Sequence, residues 1–328
     1  MRNKTIVGLV IAVLVIGGIW YFVSNKQEAK LETTKVKIAY LPVVHGLPLY
    51  VAMEKGYFRD AGIEVEAIKF ESPNQIVDAL LNGQVDFGDA VALGIVGVVE
   101  SKNPGKIKIY SLEGETGDNS GENIIVPINS SLKSISELRG KKLGILAGTI
   151  QWRTITREVL AKNGLDMDKD LTIVELAPSI QVQALSSGQV DAILALEPIP
   201  TVAINQSIGK ILVKAPAKEF IANPFWYGAE VVGTTFAMNN PKTTEKVMGA
   251  IKKAVNEINS DFDQNRRYLK NYTSLTEELA SKVPPVNFKI CESLNEQDMD
   301  SIRKFYAIFT KYNVVKGEID LDALLYCK

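Results

Sequence analysis

The sequence predicts an α/β fold of two lobes, each built on a largely parallel sheet covered by helices. Its 328 residues suit two lobes of about 100–150 residues each. Short apolar runs typical of strands alternate with helical segments, and one short motif is repeated 105 positions further along the chain. With 46% hydrophobic and 23% charged residues, the composition is that of a folded globular protein.

The alternation of strands and helices is supported by residues that start and stop helices. Ser72 and Pro73 suit a helix start, and Gly83 suits the left-handed position after the helix end. The predicted strands are Val36–Leu41, Ile63–Phe70, Val85–Phe87, Lys142–Leu146, Leu171–Leu176, Val190–Leu194 and Val231–Met238, and the predicted helices are Leu49–Phe58, a helix opened by Ser72, one capped by Asp89, Ile150–Lys162, Ser179–Leu185 and Pro241–Phe262. Beyond these elements we expect helices, interrupted at Pro284-Pro285 and Gly317.

The repeated motif joins a helix end to a strand start. Residues 79–86 (ALLNGQVD) and 184–191 (ALSSGQVD) are identical at six of eight positions. A chance match of one turn motif would explain the identity alone, but the elements on both sides also follow the same order. The repeat therefore favours two lobes that use the same helix–turn–strand step.

The N-terminus carries an uncharged apolar segment. Arg2 and Lys4 precede 18 uncharged residues, Ile6–Val23, which as a helix would span about 27 Å. This pattern predicts a signal anchor over residues 1–23, with a cytoplasmic N-terminus, and a polar tether over residues 24–35. We expect the remainder to be extracytoplasmic at the cell membrane. A cleaved signal peptide is the alternative, although no cleavage motif follows the apolar segment.

Charge and cysteine content narrow the possible functions. The formal net charge of −1 gives no electrostatic case for binding nucleic acid. The single histidine and two distant cysteines exclude multi-histidine zinc sites and a CxxC motif. No nucleotide-binding or nucleophile motif is present, so we expect no cofactor, no resident metal and no catalysis. In an oxidising compartment Cys291 and Cys327 could form a disulfide; two separate buried thiols are the alternative.

Polar and aromatic residues that follow predicted strands are the candidate ligand contacts. In open α/β sheets, ligands bind beyond the carboxyl ends of strands, where helix N-termini present free N–H groups. Ser72, Asp89 and Thr149 could instead only cap helices, Trp152 could belong to the core, and Arg153 could face solvent. The candidate ligand-binding residues are His45, Ser72, Asn74, Gln75, Asp89, Thr149, Gln151, Trp152, Arg153 and Glu197.

One segment carries a family resemblance. Residues 47–65, LPLYVAMEKGYFRDAGIEV, are similar to the signature of nitrate/sulfonate/taurine-type solute-binding proteins, a group that includes thiamine-precursor binders. Weaker matches, together covering about residues 36–260 in the family's order, are Gly83–Asp86, Leu138–Gly144, Gly188–Ala192 and Glu197-Pro198.

The resemblance implies a type II periplasmic-binding-protein fold with a central cleft. The chain would cross between lobes near Ile125–Pro127 and Gly228–Val231, giving lobe 1 from residues 36–125 and 230–328 and lobe 2 from residues 126–229. We expect a monomer that captures a small organic anion, a sulfonate first, and delivers it to an ABC permease with its ATPase. The alternatives are a thiamine-precursor-like heterocycle as solute, or a membrane-tethered enzyme or sensor that has reused the fold.

One branch of the superfamily that this sequence resembles consists of enzymes. Its pyrimidine-precursor synthases consume an active-site histidine and carry a cysteine-rich motif. The corresponding stretch here, Ala229–Gly233, has no cysteine, and Phe87–Val98 has no histidine. The aromatics Phe225, Trp226 and Tyr227 lie beside the second expected crossing, where they could stack on a planar ligand; hinge packing is the favoured interpretation.

Overall fold

Two mixed β-sheets organise the part of the protein that the structure describes. The structure is a computed structural model that describes residues 33–327. No helix within this range is long and apolar enough to cross a membrane. The predicted anchor, residues 1–23, and most of the predicted tether lie outside the described residues. Both sheets belong to one compact unit, which begins at Lys35.

The order of elements follows the predicted alternation through most of the chain. The strands are β1 (Thr34–Tyr40), β2 (Ile63–Lys69), β3 (Phe87–Ala92), β4 (Ile107–Glu115), β5 (Glu122–Pro127), β6 (Lys142–Leu146), β7 (Thr172–Leu176), β8 (Ala192–Leu196), β9 (Gly209–Lys214), β10 (Phe225–Gly233) and β11 (Asn287–Ile290). The helices are α1 (Leu47–Glu54), α2 (Tyr57–Asp60), α3 (Pro73–Leu81), α4 (Leu93–Lys102), α5 (Ile150–Lys162), α6 (Pro178–Ser186), α7 (Ile199–Asn205), α8 (Pro216–Phe220), α9 (Thr234–Asn239), α10 (Pro241–Ser260), α11 (Phe262–Asn265), α12 (Leu269–Tyr272), α13 (Glu277–Ala280), α14 (Glu296–Lys311) and α15 (Leu321–Leu324).

The sheets are mixed, which corrects the prediction of largely parallel sheets. The first has the order β11-β4-β10-β3-β1-β2 and the second β7-β6-β8-β5-β9. β1 is parallel to β3, and β6 is parallel to β7 and β8, as helical crossovers require. β10 runs antiparallel to β3 and β4, and β5 runs antiparallel to β8 and β9. β5 and β10 both enter from the other sheet, so no helical crossover fixes their direction.

The chain passes between the sheets twice. It leaves the first sheet after Glu115 and enters the second at Glu122, and it returns between Lys214 and Phe225. The crossings expected near 125–127 and 228–231 instead fall inside β5 and β10. A strand was also expected over residues 231–238, but β10 ends at Gly233 and α9 follows.

The sequence repeat is also a repeat of hydrogen bonds. Helices α3 and α6 both end before a glycine with positive φ, Gly83 at 65° and Gly188 at 72°, a conformation open to glycine without strain. The following glutamine N–H donates back into the helix, to Ala79 O at 2.8 Å and Ala184 O at 3.0 Å. The next aspartates, Asp86 and Asp191, each accept from the N–H of a lysine on a neighbouring strand, both at 2.8 Å. The same eight-residue step thus attaches a helix to a strand in both sheets.

The C-terminal region closes the far side of the first sheet. Phe225 packs edge-to-face on Phe305 of α14, with ring centroids 5.7 Å apart, and Trp226 Nε1 donates to Asp298 Oδ1 at 3.1 Å. These two aromatics are buried packing residues. Strand β11 pairs antiparallel with β4, where the sequence predicted only helices. Cys291 and Cys327 form a disulfide with their Cα atoms 5.1 Å apart.

Candidate functional site

The N-terminal turn of α5 reaches from the second sheet to the first through Gln151. Its side chain is 1% exposed. Its Oε1 accepts from the Gly94 N–H of α4 at 2.6 Å, and its Nε2 donates to the Tyr227 carbonyl of β10 at 3.0 Å. Both partners lie in the first sheet and its helices. One glutamine therefore joins the start of α5, beside the second sheet, to the start of α4 and to β10 at the first sheet.

A second contact between the lobes lies near the start of α3. The Asn74 amide donates to the Gly148 carbonyl, in the loop before α5, at 2.7 Å. Ser72 caps α3 by accepting from the Gln75 N–H at 3.4 Å, and the Gln75 side chain accepts from the Glu71 N–H at 3.1 Å. Asn74 therefore connects α3, beside the first sheet, to the loop before α5, beside the second sheet. Ser72 and Gln75 instead make contacts at the start of their own helix.

His45 is buried against Tyr227 of β10, which also contacts Trp152 of α5. Its Nε2 lies 2.7 Å from the Tyr227 hydroxyl, and the two rings meet edge-to-face at 5.1 Å. Trp152 of α5 meets the same tyrosine ring at 5.5 Å. Burial lowers the pKa of His45 to about 4, so the imidazole is neutral near pH 7. Tyr227 thus connects two residues that the sequence singled out separately.

Arg153, near the start of α5, is the only candidate cation among the predicted contacts. Thr149 is the N-cap of α5 and accepts from the Trp152 N–H at 3.3 Å. Arg153 has a side chain that is 40% exposed and pairs with Glu175 at 3.2 Å. The guanidinium is therefore held near the start of α5, accessible to a ligand that can displace or share Glu175.

A buried acidic group lies where the chain passes between the sheets. Glu115 accepts from the Glu122 N–H at 2.6 Å, and Glu122 accepts from the Ala217 N–H at 2.6 Å. Glu197 accepts from the Thr201 N–H at 3.3 Å. Burial raises the pKa of Glu115 to about 8 and that of Glu197 to about 7.

Asp89 does not cap a helix, which corrects the sequence interpretation. Strand β3 continues to Ala92, and Ala92 is the N-cap position of α4, which has no side-chain cap. Asp89 therefore lies within β3, where its side chain is buried beside Glu113 of β4 and Glu230 of β10. Burial and their mutual repulsion raise the pKa of Asp89 and Glu113 well above the usual range.

Sequence reasoning missed Glu113 and Glu230, and it left Tyr227 as hinge packing. All three lie far from Asp89 and His45 along the chain, so only the sheet pairing brings them together. The available signal was Glu230, an acidic residue within the otherwise apolar β10. A groove of about 480 Å³ also lies elsewhere, between α14 and residues 318–322, and none of the candidate residues lines it.

Curated relatives include transport proteins and one enzyme. The nitrate import ATP-binding protein NrtC of Synechocystis is 25% identical over 60% of this chain, which spans only 31% of that protein's length. A putative aliphatic sulfonates-binding protein of Bacillus subtilis is 26% identical over 78% of this chain and 74% of its own length. The 4-amino-5-hydroxymethyl-2-methylpyrimidine phosphate synthase of Aspergillus parasiticus is 24% identical over 87% of this chain and 84% of its own.

Solved structures share the fold. The alkanesulfonate-binding protein SsuA of Xanthomonas axonopodis, bound to MOPS, superposes with a TM-score of 0.72 at 19% identity, covering 90% of this chain and 99% of that one. The nitrate-binding protein NrtA of Synechocystis gives 0.70 at 16% identity over 90% and 86% of the chains. The two sheets are thus those of the periplasmic-binding-protein fold. The model of the NMT1-like family matches residues 29–272, and the chain belongs to this family.

Proposed function

We propose that this protein is the solute-binding component of an ABC importer and takes its solute between the two sheets. The observation that carries the proposal is Gln151, a buried side chain at the start of α5 beside the second sheet, whose two hydrogen bonds go to α4 and β10 at the first sheet. Such a residue stabilises a closed arrangement of two lobes, the state in which a solute between them would be enclosed. The names of the sulfonate- and nitrate-binding relatives support the same role.

The solute class we propose is a small organic anion, with a sulfonate as the first candidate. Arg153 can bind a sulfonate through two parallel hydrogen bonds, and the start of α5 adds the partial positive charge of a helix N-terminus. Arg153 is the exposed cation among the candidate contacts, so we place the anion beside it. The second candidate, a thiamine-precursor-like heterocycle, is favoured by the aromatic group of His45, Trp152 and Tyr227.

A binding role is better supported than catalysis. Both cysteines of the chain form the disulfide, and Ala229–Gly233, which corresponds to the cysteine-rich motif of the synthase branch, lies in β10 without a thiol. The partners we propose are an ABC permease with its ATPase, reached from the outer face of the membrane. The apolar segment Ile6–Val23 supports attachment there through an N-terminal anchor.

A thermal-shift screen tests this function. The full chain is melted with sulfonates, nitrate, pyrimidines and amino acids, since a solute that binds only the native state must raise the melting temperature. For an anion, Arg153→Ala should weaken binding about ten- to a hundred-fold. Arg157→Ala is the matched control, because Arg157 lies one turn further along α5 and pairs with Asp168 instead.

An unchanged melting temperature across the whole panel would refute the solute-binding proposal. If a solute binds and Arg153→Ala retains full affinity, the proposed anion site is wrong while the general function stands.

A further inference from the structure

Three buried carboxylates meet at the centre of the first sheet. Asp89, Glu113 and Glu230 come from the adjacent strands β3, β4 and β10. Each is no more than 1% exposed, and one oxygen from each lies within 4.8 Å of the others. The sheet therefore holds three acidic groups around one point, on a rigid scaffold of paired strands.

Within the described chain, these carboxylates receive almost no hydrogen bonds. Both oxygens of Asp89 are buried without a partner, and the donors beside Glu230 are the Ser111 hydroxyl and its own N–H. Glu113 Oε1 accepts one bond, from the Ala90 N–H at 3.2 Å. Buried polar atoms are almost always satisfied in native proteins, so the two orphaned oxygens of Asp89, beside two further buried carboxyls, indicate that something electropositive belongs there.

The buried acidic group around Glu115 and Glu122 offers a comparison, because hydrogen-bond donors and cations partly compensate the charge of Glu115. Glu115 accepts from two backbone N–H groups, those of Gly121 and Glu122, and Lys214 and Lys218 act on its carboxyl. The charged neighbours that act on Asp89 and Glu113 are only other carboxyls of their own cluster. Glu115 Oε2 and Glu122 Oε2 also lack a partner, but no lysine acts on Asp89 or Glu113 as Lys214 and Lys218 act on Glu115.

Backbone approaches the cluster closely from two sides. A β-carbon at Gly46 would lie 2.8 Å from Asp89 Oδ2, and one at Gly228 would lie 2.5 Å from Glu113 Oε2. Even a methyl group would therefore collide with the carboxylates at these positions. The surroundings suit a single ion better than an organic molecule.

We propose that Asp89, Glu113 and Glu230 bind one divalent cation of the oxygen-preferring class, with Ca²⁺ as the best match. An all-carboxylate set suits hard cations, whereas zinc prefers nitrogen and sulfur ligands. Oxygens on opposite sides of Ca²⁺ lie about 4.6–5.2 Å apart, against about 4.0–4.2 Å for Mg²⁺. The three oxygens, all within 4.8 Å of one another, are close enough to ligate one ion of this class together.

The test is calorimetric titration of CaCl₂ into the full chain after removal of metals with EDTA. We expect one site per chain and a melting temperature that rises with Ca²⁺ concentration. Asp89→Asn and Glu230→Gln should each weaken Ca²⁺ binding at least about tenfold. Both variants should melt no lower than the wild type without metal, because each replaces one of three mutually repelling buried carboxyls with a neutral amide of the same shape, so lost binding cannot be attributed to unfolding.

Glu158→Gln is the matched control. Glu158 is also a buried carboxylate, but it already bonds to Lys311 Nζ at 2.6 Å and to the Tyr312 hydroxyl at 2.7 Å. Its replacement should leave Ca²⁺ affinity unchanged. The proposal is overturned if Ca²⁺ produces neither heat nor a melting shift, or if binding persists at full strength in both Asp89→Asn and Glu230→Gln. Titrations with MgCl₂ and ZnCl₂ test the choice of ion, and tighter binding of either would contradict it.

Discussion

The protonation of His45 offers a direct check of how the interior between the sheets is packed. It is the only histidine of the chain, it is buried, and its Nε2 contacts the Tyr227 hydroxyl. Burial lowers its pKa to about 4, against about 6.5 for a histidine in the unfolded chain. Lowering the pH therefore perturbs stability through histidine at this one residue.

The sign and size follow from the two pKa values. Between pH 4 and 6.5 the unfolded chain binds more protons at this histidine than the folded protein, so the free energy of unfolding falls as the pH falls. The contribution of the neutral, buried His45 to the free energy of unfolding is fully present above pH 6.5 and is lost by about pH 4. A difference of about 2.5 pKa units corresponds to about 3 kcal/mol.

Two measurements test this expectation. The imidazole C–H signal in proton NMR should titrate near pH 4 in the folded protein. Urea unfolding of the wild type and of His45→Gln, each at pH 7.5 and 4.5, isolates the contribution, since glutamine does not titrate but can still bond to Tyr227. The wild type should lose about 2.5 kcal/mol more than the variant. A titration midpoint near 6.5, or equal losses in both proteins, would refute the burial argument.

Three further predictions concern other parts of the chain. Burial raises the pKa of Glu197 to about 7, so the charged form of this carboxyl destabilises the fold increasingly from pH 4.5 to 7. The Glu197→Gln variant should therefore have a free energy of unfolding about 3 kcal/mol higher than the wild type at pH 8 and almost the same at pH 4. An equal gain at both pH values would contradict this prediction. Reducing the Cys291–Cys327 disulfide should cost about 3–4 kcal/mol in the chain-entropy model, seen as a lower urea midpoint; two alkylatable thiols in the unreduced protein would disprove the bridge. The protein should remain in the membrane fraction with Met1–Phe22 intact, whereas N-terminal sequencing that begins near residues 24–30 would show cleavage.

Local signals in the sequence were sufficient for much of the fold. Helix α5 begins and ends at the predicted residues, Ile150 and Lys162, and Thr149 caps it, because these features depend on neighbours within one turn. The repeated motif also carries its own turn chemistry, so Gly83 and Gly188 could be assigned to left-handed positions from the sequence alone.

Contacts between distant segments could not be predicted in the same way. Strand β10 runs antiparallel and begins at Phe225, since its direction depends on how the chain returns from the second sheet. The local sequence around Asp89 predicts a helix cap, and only the registers of β10 against β3 and against β4 show its neighbours Glu113 and Glu230. The candidate contacts Gln151 and Asn74 were found from position alone, but their partners across the sheets were not.

The affinity of the Gln151→Leu variant for the solute found by screening tests the central claim most directly. Leucine is close in size to glutamine but leaves the Gly94 N–H and the Tyr227 carbonyl without partners when the lobes are together. At about 1–3 kcal/mol for each unpaired group, the dissociation constant should rise at least about thirtyfold. The melting temperature without solute should change little, because the lobes can separate and water can hydrate both groups. Wild-type affinity in this variant would contradict the account that the solute is enclosed between the two sheets.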